Sequence, residues 1–443
     1  MKKRLSALLI LPIALFAAAP YVTGKIAESE TMKMVDTMKL DTTSYGDIDV
    51  LSYERSYRST SAKYRYTLPT TLAAILQIKG PIVYGCESQH GVLGIDYVCH
   101  LQGENAYRDF VNDKLAGKDP FSMYGSVSAF GAITQTYEFN AIKDFDLEGQ
   151  LVTTPNALLS IETDNKMSAF KFKGGTESFK LKDEEGRLDV GTMTFDGDMT
   201  SIAEMVLTGS FNLSLDTLRF KSDETRFSLS DFTVSSVNHE SGDNINSKGV
   251  LTLGSMDIAD NAISRIDNVN VAVELNGVDT DAFSEYQAFA MNIQQQALVA
   301  SDAGQAPPVD PNSMLAMLPM LERMLKAGLA LNLDAKAKLN GSDNTFQLGA
   351  SLVESLTLAE MGIFVVAPEQ ALKKLDINID TQLANALVDT QPMLAEMLSQ
   401  SPLIEKSNDH YTLAFSSNKS IQLNGKTITF DELQELVFGS LSL

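Results

Sequence analysis

The chain has 443 residues, 44% of them apolar, and carries 35 Lys and Arg against 57 Asp and Glu for a formal net charge of −22. That length supports a large core, and the balance of residue types is ordinary for a globular body. A field this acidic repels phosphate backbones, so nucleic acid is excluded as a partner.

The chain opens with Met1-Lys2-Lys3-Arg4, followed by the uncharged run Leu5 to Val22, LSALLILPIALFAAAPYV. A short basic head before an apolar run is an export signal that keeps its N-terminus inside. Cleavage after Ala17-x-Ala19 would leave Pro20 behind the cut, and the run reaches the roughly 17-residue lower limit of a span. Residues 1–24 are therefore expected to remain as a signal anchor, a single membrane-spanning helix in the bacterial inner membrane. The bulk of the chain then meets an oxidising compartment outside the cytoplasmic membrane. Lys25 to Leu40 has helical spacing at Ile26, Met34, Val35 and Met38 and reads as a membrane-exit helix over 25–40. Residues 41–443 form a periplasmic β-rich domain on this reading.

From Tyr45 to about Leu275 the pattern has period two, as in Phe211-Leu213-Leu215, Phe227-Leu229, Phe232-Val234 and Val269-Val271-Val273-Leu275. Turn signals stand between such runs: Lys173-Gly174-Gly175, Asp196-Gly197-Asp198, Ser241-Gly242-Asp243-Asn244 and Asn276-Gly277. The pattern predicts a long antiparallel meander with one wet and one buried face, curved because twist accumulates. A helical insertion is expected over about 279–326, with a Pro-rich loop at 301–313. Its second helix, Met314 to Lys326, carries Met314, Met317, Leu318, Leu321 and Met324 on an apolar stripe interrupted by Pro319. Strands resume at Leu329, with a hairpin at Leu339-Asn340-Gly341, and short helices are expected at Pro368 to Lys374 and from Leu383 to about Ser399. The fold class is thus α+β, mainly β: a long curved antiparallel meander sheet with a layer of covering helices from 279–326 and 357–400, behind the N-terminal spanning helix.

Cys86 and Cys99 are the only cysteines and flank a Gly-rich turn between strand-like runs. With His90 and His100 they could compose a zinc site, but neighbours on a strand such as Cys99 and His100 point to opposite faces. An even count in an oxidising compartment favours a disulfide. Asp376-Ile377-Asn378-Ile379-Asp380 imitates a calcium loop, yet the turn glycine is replaced by Thr381 and the closing carboxylate by Leu387, so a wet strand face is expected. His239 and His410 stand in no catalytic context. No catalytic residue, metal ligand set or cofactor is assigned. The methionines at 314, 317, 320 and 324, with Met393 and Met397, either close a core or offer an adaptable surface to lipid tails.

The C-terminal stretch Ile421-Gln422-Leu423-Asn424-Gly425-Lys426-Thr427-Ile428-Thr429-Phe430-Asp431-Glu432-Leu433 resembles the closing motif of the YdgA-like family, bacterial envelope proteins of unknown function. Tyr21-Val22-Thr23-Gly24-Lys25-Ile26-Ala27-Glu28 is similar to that family's exit from the membrane, and Tyr53 to Ala62 to its second recurring stretch, with Arg58-Ser59-Thr60 departing from the usual pattern. His90-Gly91 matches a His-Gly-Pro element in which Val92 replaces proline. The resemblance implies an anchored periplasmic protein and brings no reaction. The expected function is a non-enzymatic envelope binding or scaffold protein. Its partners would be the membrane through the N-terminal helix, a lipid or apolar ligand against the sheet under Met314, Met317, Leu318, Leu321 and Met324, and another copy of itself in a homo-oligomer. The alternative is a structural protein acting through self-association or a protein partner, and a hydrolase is the least favoured reading.

Overall fold

The computed structural model describes residues 19–25, 28–29, 31–32, 35, 47–68, 80–102, 106–143, 145–147, 150–164, 168–182, 186–203, 206–222, 225–259, 263–302, 311–357, 360, 368–390, 392–417 and 420–438. The apolar run over 5–18, residues 36–46 and the Pro-rich stretch 303–310 lie outside them. The protein is mainly β, with 22 strands hydrogen-bonded in an antiparallel sheet and a separate two-stranded hairpin. The chain divides into two compact units, residues 1–181 with 194–198, and residues 182–193 with 199–443.

The first unit is a meander. Strands β1 (Asp47–Arg55), β2 (Ser59–Thr67), β3 (Ile82–His90), β4 (Gly94–Gln102), β5 (Phe121–Ser128) and β6 (Ile133–Phe139) pair each with the next. Helix α1 (Ala106–Lys114) stands between β4 and β5, and its Val111 is fully buried. The small hairpin β7 (Phe145–Leu147) and β8 (Gln150–Val152) follows, and β9 (Ala157–Thr163) returns to pair with β6 and with β10 (Ala169–Thr176). Cys86 lies directly opposite Cys99 across β3 and β4 and is bonded to it, with Sγ–Sγ 1.94 Å. Ala62 stands opposite Cys86 on β2, and all three are buried.

Two glycine-containing stretches that read as turns are strand interiors. Gly174 sits within β10, and Gly197 within β13 (Met193–Ala203), which follows β11 (Phe179–Lys182) and β12 (Gly186–Val190). A Cβ on Gly174 would meet the Phe195 ring at 2.5 Å, and one on Gly197 would meet the Phe172 ring at 2.3 Å. The two rings, 6.4 Å apart, each lie over the other's glycine. Glycine in a strand can mark close approach as well as a turn, and here the approaching group is aromatic.

The second unit is built on long strands. β14 (Val206–Ser222), β15 (Arg226–Ser241), β16 (Asn244–Ile258) and β17 (Arg265–Asp279) pair in succession, and β18 (Ala330–Leu339), β19 (Ser342–Leu352) and β20 (Leu375–Ala384) continue the ladder. β21 (Glu405–Lys406) and β20 both pair with β22 (His410–Ser416), and β23 (Ile421–Leu423) and β24 (Lys426–Ile428) close the chain's last hairpin. Its turn residues Asn424 and Gly425 both have positive φ, 49° and 76°, the two-residue geometry whose twist matches the strands. Thr429 and Glu432 then exchange hydrogen bonds, Thr429 N to Glu432 Oε2 at 2.7 Å and Glu432 N to Thr429 Oγ1 at 3.2 Å. That reciprocal cap starts the final helix.

Across β14 to β17 the apolar alternation shifts by one residue along a line through Asp216, Asp231, Gly254 and Asn268. On β15, for example, Phe227 and Leu229 give way to Phe232 and Val234. Such a shift would turn an unbroken strand's apolar set to the opposite face. Asp231 and Asn268 have left-handed φ of 53° and 52° at the line, which are the local breaks this change requires. Asn276-Gly277 is likewise no hairpin turn: β17 runs on to Asp279, with Gly277 at φ 75° and facing the Gly328 carbonyl.

The expected covering layer of helices is overturned, and the expected N-terminal spanning helix is not supported by any described helix, its residues 1–18 lying outside those described. Helices α2 (Thr280–Asp302) and α3 (Pro311–Met324) pack mainly on each other, and among the described residues their main sheet contacts are with β14 and β17. They begin where β17 ends and sit over a small core at that end of the strands: Val206, Ile245, Val278 and Ala282 are all buried. Length explains it. A strand of 17 residues such as β14 runs about 55 Å at ~3.3 Å per residue, whereas the 14-residue α3 extends only about 21 Å at 1.5 Å per residue. The later helices α4 (Pro368–Leu372), α5 (Asn385–Val388), α6 (Pro392–Gln400) and α7 (Phe430–Phe438) are shorter still. At the N-terminus, no helix among the described residues is long and apolar enough to cross a membrane. The segment expected to extend the span is instead held against protein, with Thr23 only 5% exposed and its hydroxyl donating to the Gly91 carbonyl at 2.9 Å.

Two stability measurements test these contacts. Gly277→Ala should cost about 2 kcal/mol or more, since it adds a left-handed alanine to a backbone–backbone contact, and urea unfolding reads it. Reducing the disulfide, which spans a sequence separation of 13, should cost about 3 kcal/mol on the loop-entropy account. The Cys86→Ser/Cys99→Ser chain should then show no further loss under dithiothreitol.

Candidate functional site

In the second unit the ladder aligns apolar residues into rows on one face. Leu213, Val234, Leu251, Val271, Ala335 and Phe346 stand opposite one another in succession from β14 to β19. The next row joins Val273, Leu333, Leu348, Ile379 and Phe415, and the one beyond it Leu275, Leu331, Ala350 and Ile377. Residues two apart on a strand share a face, so these rows form one apolar surface. The other face is polar, with hydroxyl pairs Thr233–Thr252 (2.5 Å) and Ser230–Ser255 (2.9 Å) and the Lys248–Glu274 ion pair.

None of the side chains in these three rows is fully buried; Val273 and Leu331 are 40% and 38% exposed. The surface is thus incompletely covered by the described residues. Full burial of a Val, Leu or Phe is worth roughly 1.5–3 kcal/mol, so each partly wet side chain leaves up to about 1 kcal/mol unrealised, on the order of 10 kcal/mol over the rows. An occupant would gain that before its own ordering costs.

The methionine helix lies at one end of this surface. On α3, Met317, Leu321 and Met324 are half-buried and Leu318 is 37% exposed. Met314 is helical, but its side chain lies outside the described residues. The helix continues through Pro319. Ionic contacts fasten the helix pair: Arg323 to Glu285, and Lys326 to Asp279. Asp279 also accepts from the Ala282 amide at 2.9 Å as the cap of α2. Partial burial acts to raise its pKa, but Lys326 and the cap outweigh that and hold it below the ordinary carboxylate value. On α6, Met393 and Met397 are 79% and 63% exposed and share a helix face.

A second constellation lies in the first unit, where three stretches far apart in sequence meet. Gly24 rests on the His90 imidazole so closely that a Cβ would lie 2.4 Å from Nδ1. His90 Nε2 is 2.8 Å from the Thr60 hydroxyl, while Nδ1 is buried with no hydrogen-bond partner among the described residues. Arg55 donates to Glu28 at 2.8 Å and lies 4.7 Å from the centre of the Tyr21 ring. Burial pushes the His90 pKa below its ordinary value; the Tyr57 carbonyl opposes this and the Arg55 charge adds to it. Beside it Pro20, Arg58, Ser59, Gln89, Gly91 and Val92 line a cleft of about 490 Å³. Spacing gave no signal for this meeting, since Gly24 and His90 are brought together only by the docking of the helical stretch 19–25 on the β3–β4 hairpin.

The remaining sequence candidates stay apart. Cys99 is buried and His100 exposed on the opposite face, and Asn378 and Asp380 are exposed on β20 between apolar residues. No group of metal-ligating side chains occurs among the described residues. An open polar cleft of about 440 Å³ is lined by Asp343, Gln382, Asn385, Asn408, Asp409 and His410.

The sequence model of a bacterial family described as a protein of unknown function, DUF945, matches residues 1–431. No curated protein and no solved structure matches the chain.

The buried His90 predicts a pH effect. Its folded pKa lies below the unfolded value, so the unfolded chain takes up the proton first as pH falls. The stability gained by burying the neutral ring is present above about 6.5 and is lost as pH drops through that value toward the folded pKa. Urea unfolding across this range should weaken toward acid, and His90→Gln should flatten that part of the profile.

Proposed function

The chain belongs to that bacterial family of unknown function, and from this premise we propose that it is a non-enzymatic binding or scaffold protein of the cell envelope. It holds a lipid or other apolar chain against the apolar rows of its second unit. The observation that carries this reading is the row surface from Leu213 to Phe415, apolar across the ladder yet partly wet. Half-buried methionines on α3 at its end suit a guest of variable shape. A periplasmic setting is supported by the basic-then-apolar N-terminal pattern and by the Cys86–Cys99 bond, which persists only under oxidising conditions. The YdgA-like assignment within the family is supported by the closing motif 421–433, whose residues build the Asn-Gly turn and the Thr429–Glu432 cap. A second reading, docking to a copy of itself or to another protein, is favoured by the exposed Met393 and Met397 on α6.

Extraction of the purified full-length chain followed by mass spectrometry tests the first reading. A stoichiometric apolar compound should co-purify, and Val271→Asp/Leu333→Asp should lose most of it while keeping the wild-type circular dichroism spectrum. If no such compound co-purifies and none binds the purified chain, the reading fails. A concentration-dependent dimer without ligand, weakened by Met393→Glu/Met397→Glu, would favour the second.

A further inference from the structure

Three consecutive hairpin turns line one rim of the first unit: Ser56-Tyr57-Arg58 between β1 and β2, Gly91-Val92-Leu93 between β3 and β4, and Ala129-Phe130-Gly131-Ala132 between β5 and β6. They are tied together by backbone hydrogen bonds, His90 N to Arg58 O at 2.8 Å and Ala129 N to Leu93 O at 2.8 Å. Their large side chains point away from any core: Phe130 is 91% exposed, Leu93 75% and Tyr57 46%. A tip leucine and phenylalanine cost solubility and add nothing to folding, so their presence on tightly held turns calls for an apolar surface to receive them.

The chemistry around the rim identifies that surface. None of the three turns contains a carboxylate, in a chain with 57 Asp and Glu. Arg58 has no ion pair among the described residues and lies 5.9 Å over the Tyr57 ring. Lys25 is exposed on the helical stretch that docks here through Thr23 and Gly91. That stretch also presents Tyr21 and Val22, 48% and 50% exposed. In sequence, Ala19 follows directly on the uncharged run 5–18. The next turn on the same rim, after β9, returns to acidic chemistry at Asp164, whose carboxylate binds the Ser168 amide at 2.8 Å. Apolar tips, flanking aromatic rings and unpaired cations are what an anionic bilayer surface accepts: apolar groups enter the acyl boundary, and Lys and Arg meet phosphates.

We propose that the turns at Tyr57-Arg58, Val92-Leu93 and Phe130 form a lipid-docking rim that rests on the headgroup layer of an anionic bilayer. Leu93 and Phe130 insert to the acyl boundary, and Arg58 and Lys25 pair with lipid phosphates. This site is separate from the apolar rows of the second unit and stands whether or not those rows hold a ligand.

The chain contains no tryptophan, so a single one is a clean probe. Phe130→Trp and Leu93→Trp in the full chain, mixed with phosphatidylcholine vesicles containing phosphatidylglycerol, should show blue-shifted emission and quenching by acyl-brominated lipid. Val353→Trp, at an exposed position of the second unit, should show neither. Adding Arg58→Glu or Lys25→Glu should lower the ratio of quenched to unquenched tip tryptophan about fivefold each, and omitting phosphatidylglycerol should have the same direction. Unquenched tips in both vesicle types would overturn the proposal. Tips already blue-shifted without lipid would also overturn it, assigning the rim to another part of this chain, or to a second copy if the shift depends on concentration.

Discussion

A strand that alternates apolar and polar residues can keep only one face dry, and something must lie against that face. Most of this chain obeys that one constraint. In the first unit the buried residues gather around Ala62, Cys86 and Cys99, where a covalent bond joins neighbouring strands in the middle of the dry face. In the second, apart from Leu253 within β16, the buried residues gather mainly near strand ends, around Val206, Val278 and Ala282 or around Ala384, Val388 and Tyr411. The middle of the long strands keeps its alternation without comparable cover. Satisfying the backbone is easy in such a ladder, because each strand bonds its neighbours; satisfying the side chains is what remains open, and that is why the functional reading centres on the rows.

The strands themselves were legible. Runs such as Val269-Val271-Val273 have no other economical reading, and Leu339-Asn340-Gly341 and Leu423-Asn424-Gly425 turn where their left-handed residues demand. Glycine was the point of failure. Gly174, Gly197 and Gly277 carry the same letters as turn residues, but the first two make room for rings and the third for another backbone, and neither neighbour is close in sequence. The helices failed differently. Apolar periodicity at Met317, Leu321 and Met324 states that one side of the helix is covered and says nothing about what the helix covers in return. Only the relative lengths of helix and strand decide that.

The His90 junction shows the same limit for sites. Thr23-Gly24, Arg55, Thr60 and His90-Gly91 were each noticeable as separate stretches, but the contacts that make the junction run between stretches. Their meeting depends on the order of three strands and the docking of a short helix. The disulfide was readable because a hairpin fixes its partners within a local segment. The calcium-like Asp376-Asn378-Asp380 pattern lies on β20, where Ile377 and Ile379 take their places in the apolar rows.

The close pass of Gly277 and Gly328 has a wider consequence. Asn276 pairs with Ala330 across β17 and β18, so the chain leaves the sheet and re-enters it at nearly one point. Everything between, the helix pair α2 and α3 with its ionic fastenings, is an excursion from what would otherwise be a plain hairpin. Such a segment is modular in the geometric sense: its length is not fixed by the register of β17 on β18. The ladder and the helical excursion are in that sense separate pieces of architecture, joined through the Gly277–Gly328 contact.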